Sequence, residues 1–336
     1  MKVCVVGAGA IGGCLGVRIA EQGHEVSLIA RGPHLAAIKK NGLTLRQNGE
    51  EIRVRDVFAT SDMTECGPQD VVLLALKAHQ IAPVIDDLKT LFGPDTVMVA
   101  LQNGIPWWYF QGIDGAYQNR VVETIDPGGL LANSIDPKRI IGCIAYPAAS
   151  IAQPGVIQLV EGDRFPVGEL DNSESDRLKM VSGLFTEAGF KSRVLTDIRS
   201  EIWLKLWGNL SFNPISALSH STLVDICQYP LTRELARTMM AEAQAIAEHL
   251  GASFRVTIER RIEGAEAVGK HKTSMLQDVE AGKPLEIDGM LGAVIELGEM
   301  TGVDTPALKA LYACASLLNR KIQQESVFIK ERPLEQ

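Results

Sequence analysis

Lys205, Asn209 and Asn213 recur at four-residue intervals in a stretch otherwise dominated by Trp203, Leu204, Leu206, Trp207, Leu210 and Phe212. On a helix that spacing forms one polar stripe. A lysine held among apolar neighbours loses solvation, which lowers its pKa from the ordinary value of about 10.4 and lets it donate a proton near neutrality. Such a donor suits a reaction that leaves charge on a carbonyl oxygen. Periodicity alone also accommodates an exposed lysine and two asparagines on a solvated helix face. The six histidines (His24, His34, His79, His220, His249, His271) form no recognisable catalytic spacing with a carboxylate. A second polar cluster runs through Thr273, Ser274, Gln277 and Asp278 to Glu286 and Asp288. Ser274 with Gln277 also reads as a plain capping box, and Glu286 as a residue favouring a helix N-terminus. On the residues alone that structural reading is the stronger one.

At the other end of the chain, Gly7-Ala8-Gly9-Ala10-Ile11-Gly12 sits directly between a β-branched run, Lys2 to Val6, and a helical stretch through Glu21. That context gives a glycine-rich turn its chemistry. Gly7 permits the tight turn, Gly9 lets the backbone approach a pyrophosphate, Gly12 allows close helix–strand packing, and the helix N-terminus faces the anion. A dinucleotide site preferring NAD usually carries Asp or Glu at the end of the second strand, whereas this chain has Arg31. A guanidinium there can pair with a 2′-phosphate, which favours NADPH over NADH; the plainer alternative is a solvated loop charge.

The elements that must position these groups follow from periodicity. Strands are expected at Lys2 to Val6, Glu25 to Ala30, Asp70 to Leu76 and Thr96 to Leu101, alternating with helices near Pro33 to Asn41 and Gln80 to Leu91. That is a right-handed βαβ series, a Rossmann-type α/β domain. After about Leu170 the pattern changes to long amphipathic stretches at 173–188, 200–210, 233–250, 256–269 and 289–302. A last helix opens with Thr305 at the N-cap and Pro306 at the first position. The expected division is a dinucleotide-binding domain over 1–170, a helical domain over 171–325 and a tail over 326–336.

The 336 residues carry 46% hydrophobic and 22% charged side chains, as in a folded globular protein of two domains. A net charge of −8 argues against a broad nucleic-acid surface and requires local positive groups for any anionic substrate. The six cysteines show no metal or redox spacing, so no metal is expected and a reducing cytoplasm fits. No export signal is legible. Ile140 to Val160 is uncharged and long enough to span a bilayer, but Pro147, Ser150, Gln153, Pro154 and Gly155 interrupt it, so short strands and a turn are expected and no membrane association.

Taken together, the chain resembles the ketopantoate reductases, which reduce 2-dehydropantoate to pantoate with NADPH on the way to pantothenate and coenzyme A. The resemblance spans almost the whole chain. It rests on the Gly7-x-Gly9-x-x-Gly12 turn with Arg31, Leu76-Lys77, Gln102-Asn103-Gly104, the Lys205/Asn209/Asn213-Pro214 helix, and Ser274 to Asp278 followed by Glu286-Ile-Asp288. It implies Lys205 as general acid and Asn103, Asn209, Asn213 and Ser274 as substrate hydrogen-bonders. It further implies Lys77 and Asn103 on the cofactor's nicotinamide side, and Glu286 closing the polar network as a catalytic and cofactor contact. A helical second domain like that of the 6-phosphogluconate dehydrogenase group, a small 2-oxo acid substrate, and often a homodimer are implied too. One departure is the aromatic block Trp107-Trp108-Tyr109-Phe110, where smaller or more polar residues are expected. It reads as local packing, a subunit contact or a reshaped pocket. The last would make the protein a reductase of another 2-oxo acid. A non-catalytic NADPH-sensing protein is the alternative of another class.

Overall fold

The computed structural model describes residues 1–329, so residues 330–336 of the expected tail lie outside the described residues. The chain divides into two compact units. One comprises residues 1–102, 107–121 and 128–198; the other comprises 103–106, 122–127 and the chain from 199 onward.

The first unit is built on two sheets. Its strands are β1 (Lys2–Val6), β2 (Glu25–Ile29), β3 (Leu43–Gln47), β4 (Glu50–Val54), β5 (Phe58–Thr60) and β6 (Gln69–Leu74). They continue with β7 (Phe92–Ala100), β8 (Ile140–Cys143), β9 (Ala148–Gln153), β10 (Val156–Glu161), β11 (Val167–Glu169) and β12 (Val194–Leu195). The eight-stranded sheet runs β12-β11-β8-β7-β6-β1-β2-β5, parallel from β8 to β5, with β11 antiparallel to β8. From β5 to β8 this is the doubly wound order, reversing direction between β1 and β6, where such sheets bind ligands at their carboxyl ends. Val3 to Val6 and Val71 to Leu74 are fully buried, as strands covered on both faces must be.

The unit's helices are α1 (Ala10–Glu21), α2 (Gly32–Asn41), α3 (Ile85–Lys89), α4 (Leu130–Ser134) and α5 (Asp176–Glu187). Where the sequence suggested one helix over 80–91, there are 3₁₀ turns at Ala78–Gln80 and Ala82–Val84 before α3. Pro83 explains the break: with no N–H it cannot continue a helix from residue 80, and it stands instead at the start of the second 3₁₀ turn, before α3. Ile140 to Val160 forms β8, β9 and part of β10, and among the described residues no helix is long and apolar enough to cross a membrane. A four-stranded sheet, β4-β3-β10-β9, was not foreseen. Asn48 and Gly49 both take positive φ and join β3 to β4 in a two-residue hairpin.

The second unit is helical: α6 (Ile198–Ser219), α7 (Leu223–Gln228), α8 (Pro230–His249), α9 (Ile258–Ala267), α10 (Ser274–Glu280), α11 (Ala293–Thr301) and α12 (Pro306–Glu325). Along α8, Ala236, Met239, Met240, Ala243, Ile246 and Ala247 are buried at helical spacing, which gives the unit its core stripe. Thr305 does occupy the N-cap of α12 with Pro306 next. The free amides of Ala307 and Leu308 are nevertheless taken by the Glu242 carboxylate from α8, at 2.9 and 3.0 Å. A π-turn, Asp288–Gly292, leads into α11.

Candidate active site

In the first unit the glycine turn sits where its sequence context demands. Gly7 has φ +97°, and a Cβ there would lie 2.9 Å from Leu76 Cδ2 and 3.0 Å from the Ala75 carbonyl oxygen. A Cβ on Gly12 would stand 2.9 Å from both Ala75 Cβ and Val5 Cγ1 and would overlap the Gly7 carbonyl oxygen. Gly9 is different: a Cβ there would meet nothing within 4 Å. Gly9 is the N-cap of α1, and no side chain caps that end, so the first amides of the helix have no side-chain acceptor. Those features fit a dinucleotide pyrophosphate, which needs close backbone approach and unpaired helix N–H groups.

The turn is tied to its neighbours. Gly7 and Ala8 donate their N–H groups to the Ile29 carbonyl at 3.2 and 2.9 Å, which sets the end of β2 beside the turn. Arg31, exposed, is the N-cap of α2 two residues further on. Lys77, partly buried, follows the carboxyl end of β6, and Gln102 holds that end by donating Nε2–H to the carbonyls of Leu74 (2.8 Å) and Leu76 (3.3 Å). Sequence reasoning passed over His34. Its Nδ1 accepts from the Gly155 N–H at 3.0 Å, so Nε2 carries the proton and donates to the Ala8 carbonyl at 2.8 Å. This imidazole joins the glycine turn to the β9–β10 turn.

In the second unit the polar stripe of α6 is set by its apolar faces. Trp203 and Trp207 are fully buried; Trp207 stacks on Phe254 with centroids 3.9 Å apart and donates Nε1–H to the Met240 carbonyl at 3.0 Å. With that side locked, Lys205 and Asn209 are left half-buried on the stripe. Lys205 Nζ donates to Asn103 Oδ1 at 2.6 Å, across 102 residues of sequence. Asn213, 5% exposed, turns its Nδ2 toward Met290 Sδ in the π-turn at 3.6 Å. Pro214 cannot donate to the Leu210 carbonyl, so the helix ladder lacks one rung beside the asparagines.

Other pieces of this unit were invisible in the sequence. Arg261 of α9 lays its guanidinium directly on Gly208, one residue before Asn209, where any Cβ would collide with it. Glu201, one turn before Lys205 and buried, pairs with both terminal nitrogens of Arg255. Glu296 accepts from the Glu123 and Thr124 amides, both at 2.8 Å, and so fastens residues 122–127 to α11.

Ser274 is exposed at the first position of α10, and the cap is Thr273, whose hydroxyl accepts from the Leu276 N–H at 3.3 Å. The hydroxyl of Ser274 is thereby released from the capping role the sequence offered it. Glu286 is half-buried between Leu285 and Ile287, both buried, and Leu285 is pinned by its N–H to Asn319 Oδ1 at 2.9 Å. Thus Lys205 and Asn103 meet directly and Asn213 reaches the same π-turn, whereas Ser274 and Glu286 stand on separate elements of the unit. The glycines, Arg31 and Lys77 belong to the first unit. Among the described residues no group of three or more His, Cys, Asp or Glu could hold a metal ion.

The aromatic block is core. Trp107, Trp108, Tyr109 and Phe110 are each at most 2% exposed. A Cβ on Gly142 would meet the Trp108 ring and Ile198 at 2.8 Å, Tyr109 meets Phe110 edge-on, and Phe110 stacks on Tyr117.

Comparison with known proteins matches residues 3–172 to the family model "Ketopantoate reductase PanE/ApbA" and residues 197–319 to "Ketopantoate reductase PanE/ApbA C terminal". A 2-dehydropantoate 2-reductase of Mesorhizobium japonicum is 49% identical over 93% of this chain and 96% of its own length. A solved structure from Ralstonia solanacearum MolK2 is 36% identical, covers 96% of this chain and 98% of that one, and has a TM-score of 0.91. A D-mandelate dehydrogenase solved with NADH and anilino(oxo)acetate shares the fold at TM-score 0.82 and 21% identity, over 96% of this chain and all of that one.

Proposed function

We propose, from the premise that this chain belongs to the ketopantoate reductase family, that it reduces 2-dehydropantoate to pantoate with NADPH, a step toward pantothenate and coenzyme A. The family is one of nicotinamide-dinucleotide-dependent reductases. When bound, the dinucleotide supplies the hydride that C2 of the substrate receives.

The chain's own part is to hold and to protonate. Gly7, Ala8, Gly9, Ala10, Ile11 and Gly12 offer backbone to the pyrophosphate, Arg31 pairs with the 2′-phosphate, and Lys77 lies toward the nicotinamide ribose. Lys205 gives its proton to the oxygen at C2, so that a C–H and an O–H replace the C=O. Asn103 orients Lys205 through Oδ1 and keeps its Nδ2 for substrate and cofactor. Asn209, Asn213 and Ser274 hydrogen-bond the 2-oxo acid, and Glu286 closes the network.

The observation that carries the reading is the 2.6 Å contact between Lys205 Nζ and Asn103 Oδ1, which gives the one lysine of the α6 stripe a fixed direction. Burial of Trp107 and Trp108 supports local packing as the role of the aromatic block. The test follows NADPH absorbance with purified protein, ketopantoate, a panel of other 2-oxo acids and an NADH control. Ketopantoate is expected to be turned over best of the panel. NADPH binding without consumption for any acid would overturn catalysis in favour of a sensing role, and a better panel acid would overturn the substrate.

A further inference from the structure

The Lys205–Asn103 contact needs Asn103 at one place, and the chain around it shows what fixes that place. Gly104 has φ +84°, a conformation costly for any residue with a side chain. Its Cα faces the π-turn so closely that a Cβ would overlap the Gly289 carbonyl and stand 3.2 Å from Gly289 Cα. The next residue continues the contact, with the Ile105 N–H donating to the Gly289 carbonyl oxygen at 2.9 Å. The π-turn is itself held from outside: the Tyr312 hydroxyl of α12 donates to Asp288 Oδ1 at 2.9 Å, and Gly292 packs under the Tyr312 ring. π-turns within helices are uncommon and concentrate at functional sites.

We propose that the Asp288–Gly292 π-turn is the device that positions the proton donor, and that Gly104 is a positioning residue acting through Asn103 on Lys205. Seating Gly104 on Gly289 leaves Asn103 one place to stand, and Lys205 takes its direction from there. Tyr312 acts a step further out, by holding the turn that Gly104 sits on. The inference deepens the reductase reading and rests on it.

The test is a double-mutant cycle in the full-length protein. Gly104→Ala, Asn103→Ala and the double variant are compared for kcat with NADPH and ketopantoate. Each single variant is expected to lose roughly tenfold or more, and the double variant no more than the worse single, because non-additivity marks residues acting through one contact. Losses that multiply, or unchanged kcat in Gly104→Ala, would overturn the proposal. Should Gly104→Ala fail to fold, Tyr312→Phe carries the same cycle: a severalfold loss in the native background and none beside Asn103→Ala.

A readout independent of turnover separates this inference from the substrate assignment. The rate of reductive methylation of Lys205 by formaldehyde and a borane is read by peptide mass spectrometry. Gly104→Ala and Asn103→Ala are expected to raise it alike, by severalfold. If the native protein consumes no ketopantoate yet both variants free Lys205 equally, the substrate reading fails and the positioning stands. If only Asn103→Ala frees Lys205, the positioning fails.

Discussion

The two units solve the same problem, bringing chemical groups to a point, with opposite materials. The first unit uses backbone: its working surface is the turn from Gly7 to Gly12, and three glycines matter because side chains there would collide or obstruct. The second uses side chains carried by separated segments, with Asn103 set against Lys205 and Ile105 against Gly289. A backbone site lies within six consecutive residues, so its two packed glycines, Gly7 and Gly12, leave no room for a side chain, and its distant partners, Ile29 and His34, hold backbone rather than aim a side chain. A side-chain site depends on every element that fixes each rotamer, here the buried tryptophans of α6 and the π-turn before α11.

Changes in one unit should therefore leave the other's property intact, and the largest effect expected is at the donor. Lys205→Ala should lower kcat by about 10²–10⁴, the usual worth of a general acid, while dinucleotide affinity measured by fluorescence titration stays near native. A parallel loss of cofactor affinity would break the separation. In the first unit, Gly12→Val forces methyls into Ala75 and Val5 and against the Gly7 carbonyl. Overpacking of this kind costs typically about 1–3 kcal/mol, so thermal denaturation should shift downward and cofactor binding should fail in whatever protein folds. Arg31→Ala removes one charge-assisted contact, worth about 1.5–3 kcal/mol. The dissociation constant for NADPH should rise by one to two decades and that for NADH hardly at all; equal losses would take Arg31 out of the phosphate site.

The same contrast explains what could be read from the sequence. The glycine turn, its strand and its helix are contiguous, and their residues encode the constraint they satisfy, so both the α/β character of the first half and the helical character of the second were legible. The β3–β4 hairpin was legible too, since Asn48-Gly49 between alternating segments is a strong two-residue turn signal, but it was passed over beside the longer helices. The contact of Asn103 with Lys205 was not encoded locally: spacing could place Lys205 on a stripe but could not say what faced it, and only family resemblance joined the two. His34, Tyr312 and Arg261 carried no local signal at all, because each acts on backbone or side chains far away in sequence. At Ser274 the residues alone favour a capping box with Gln277, yet the cap is Thr273 one residue earlier, with Leu276 and not a Glu or Gln at the third helical position, so local pattern could not tell the two hydroxyls apart.

The block Trp107 to Phe110 brings the two materials together and makes the sharpest test of the contrast, because there the smallest effect is expected. It begins four residues after Asn103, and adjacency alone would make it part of the substrate site. Yet residues 103–106 belong to the second unit and 107–121 to the first, so neighbours in sequence serve different interiors. Trp107 Nε1 and Trp108 Nε1 are buried with no acceptor among the described residues, so neither indole N–H is held by a polar contact. Trp108→Phe removes such a group together with part of the ring packed on Gly142. The lost packing and the relieved N–H oppose each other, so stability measured in urea should change by no more than about 2 kcal/mol. The ranking of 2-oxo acids by kcat/KM should stay as it is in the native protein. A changed ranking would mean that the block reaches the substrate, and that the division between a backbone site in one unit and a side-chain site in the other is less complete than the contacts of Asn103 and Lys205 imply.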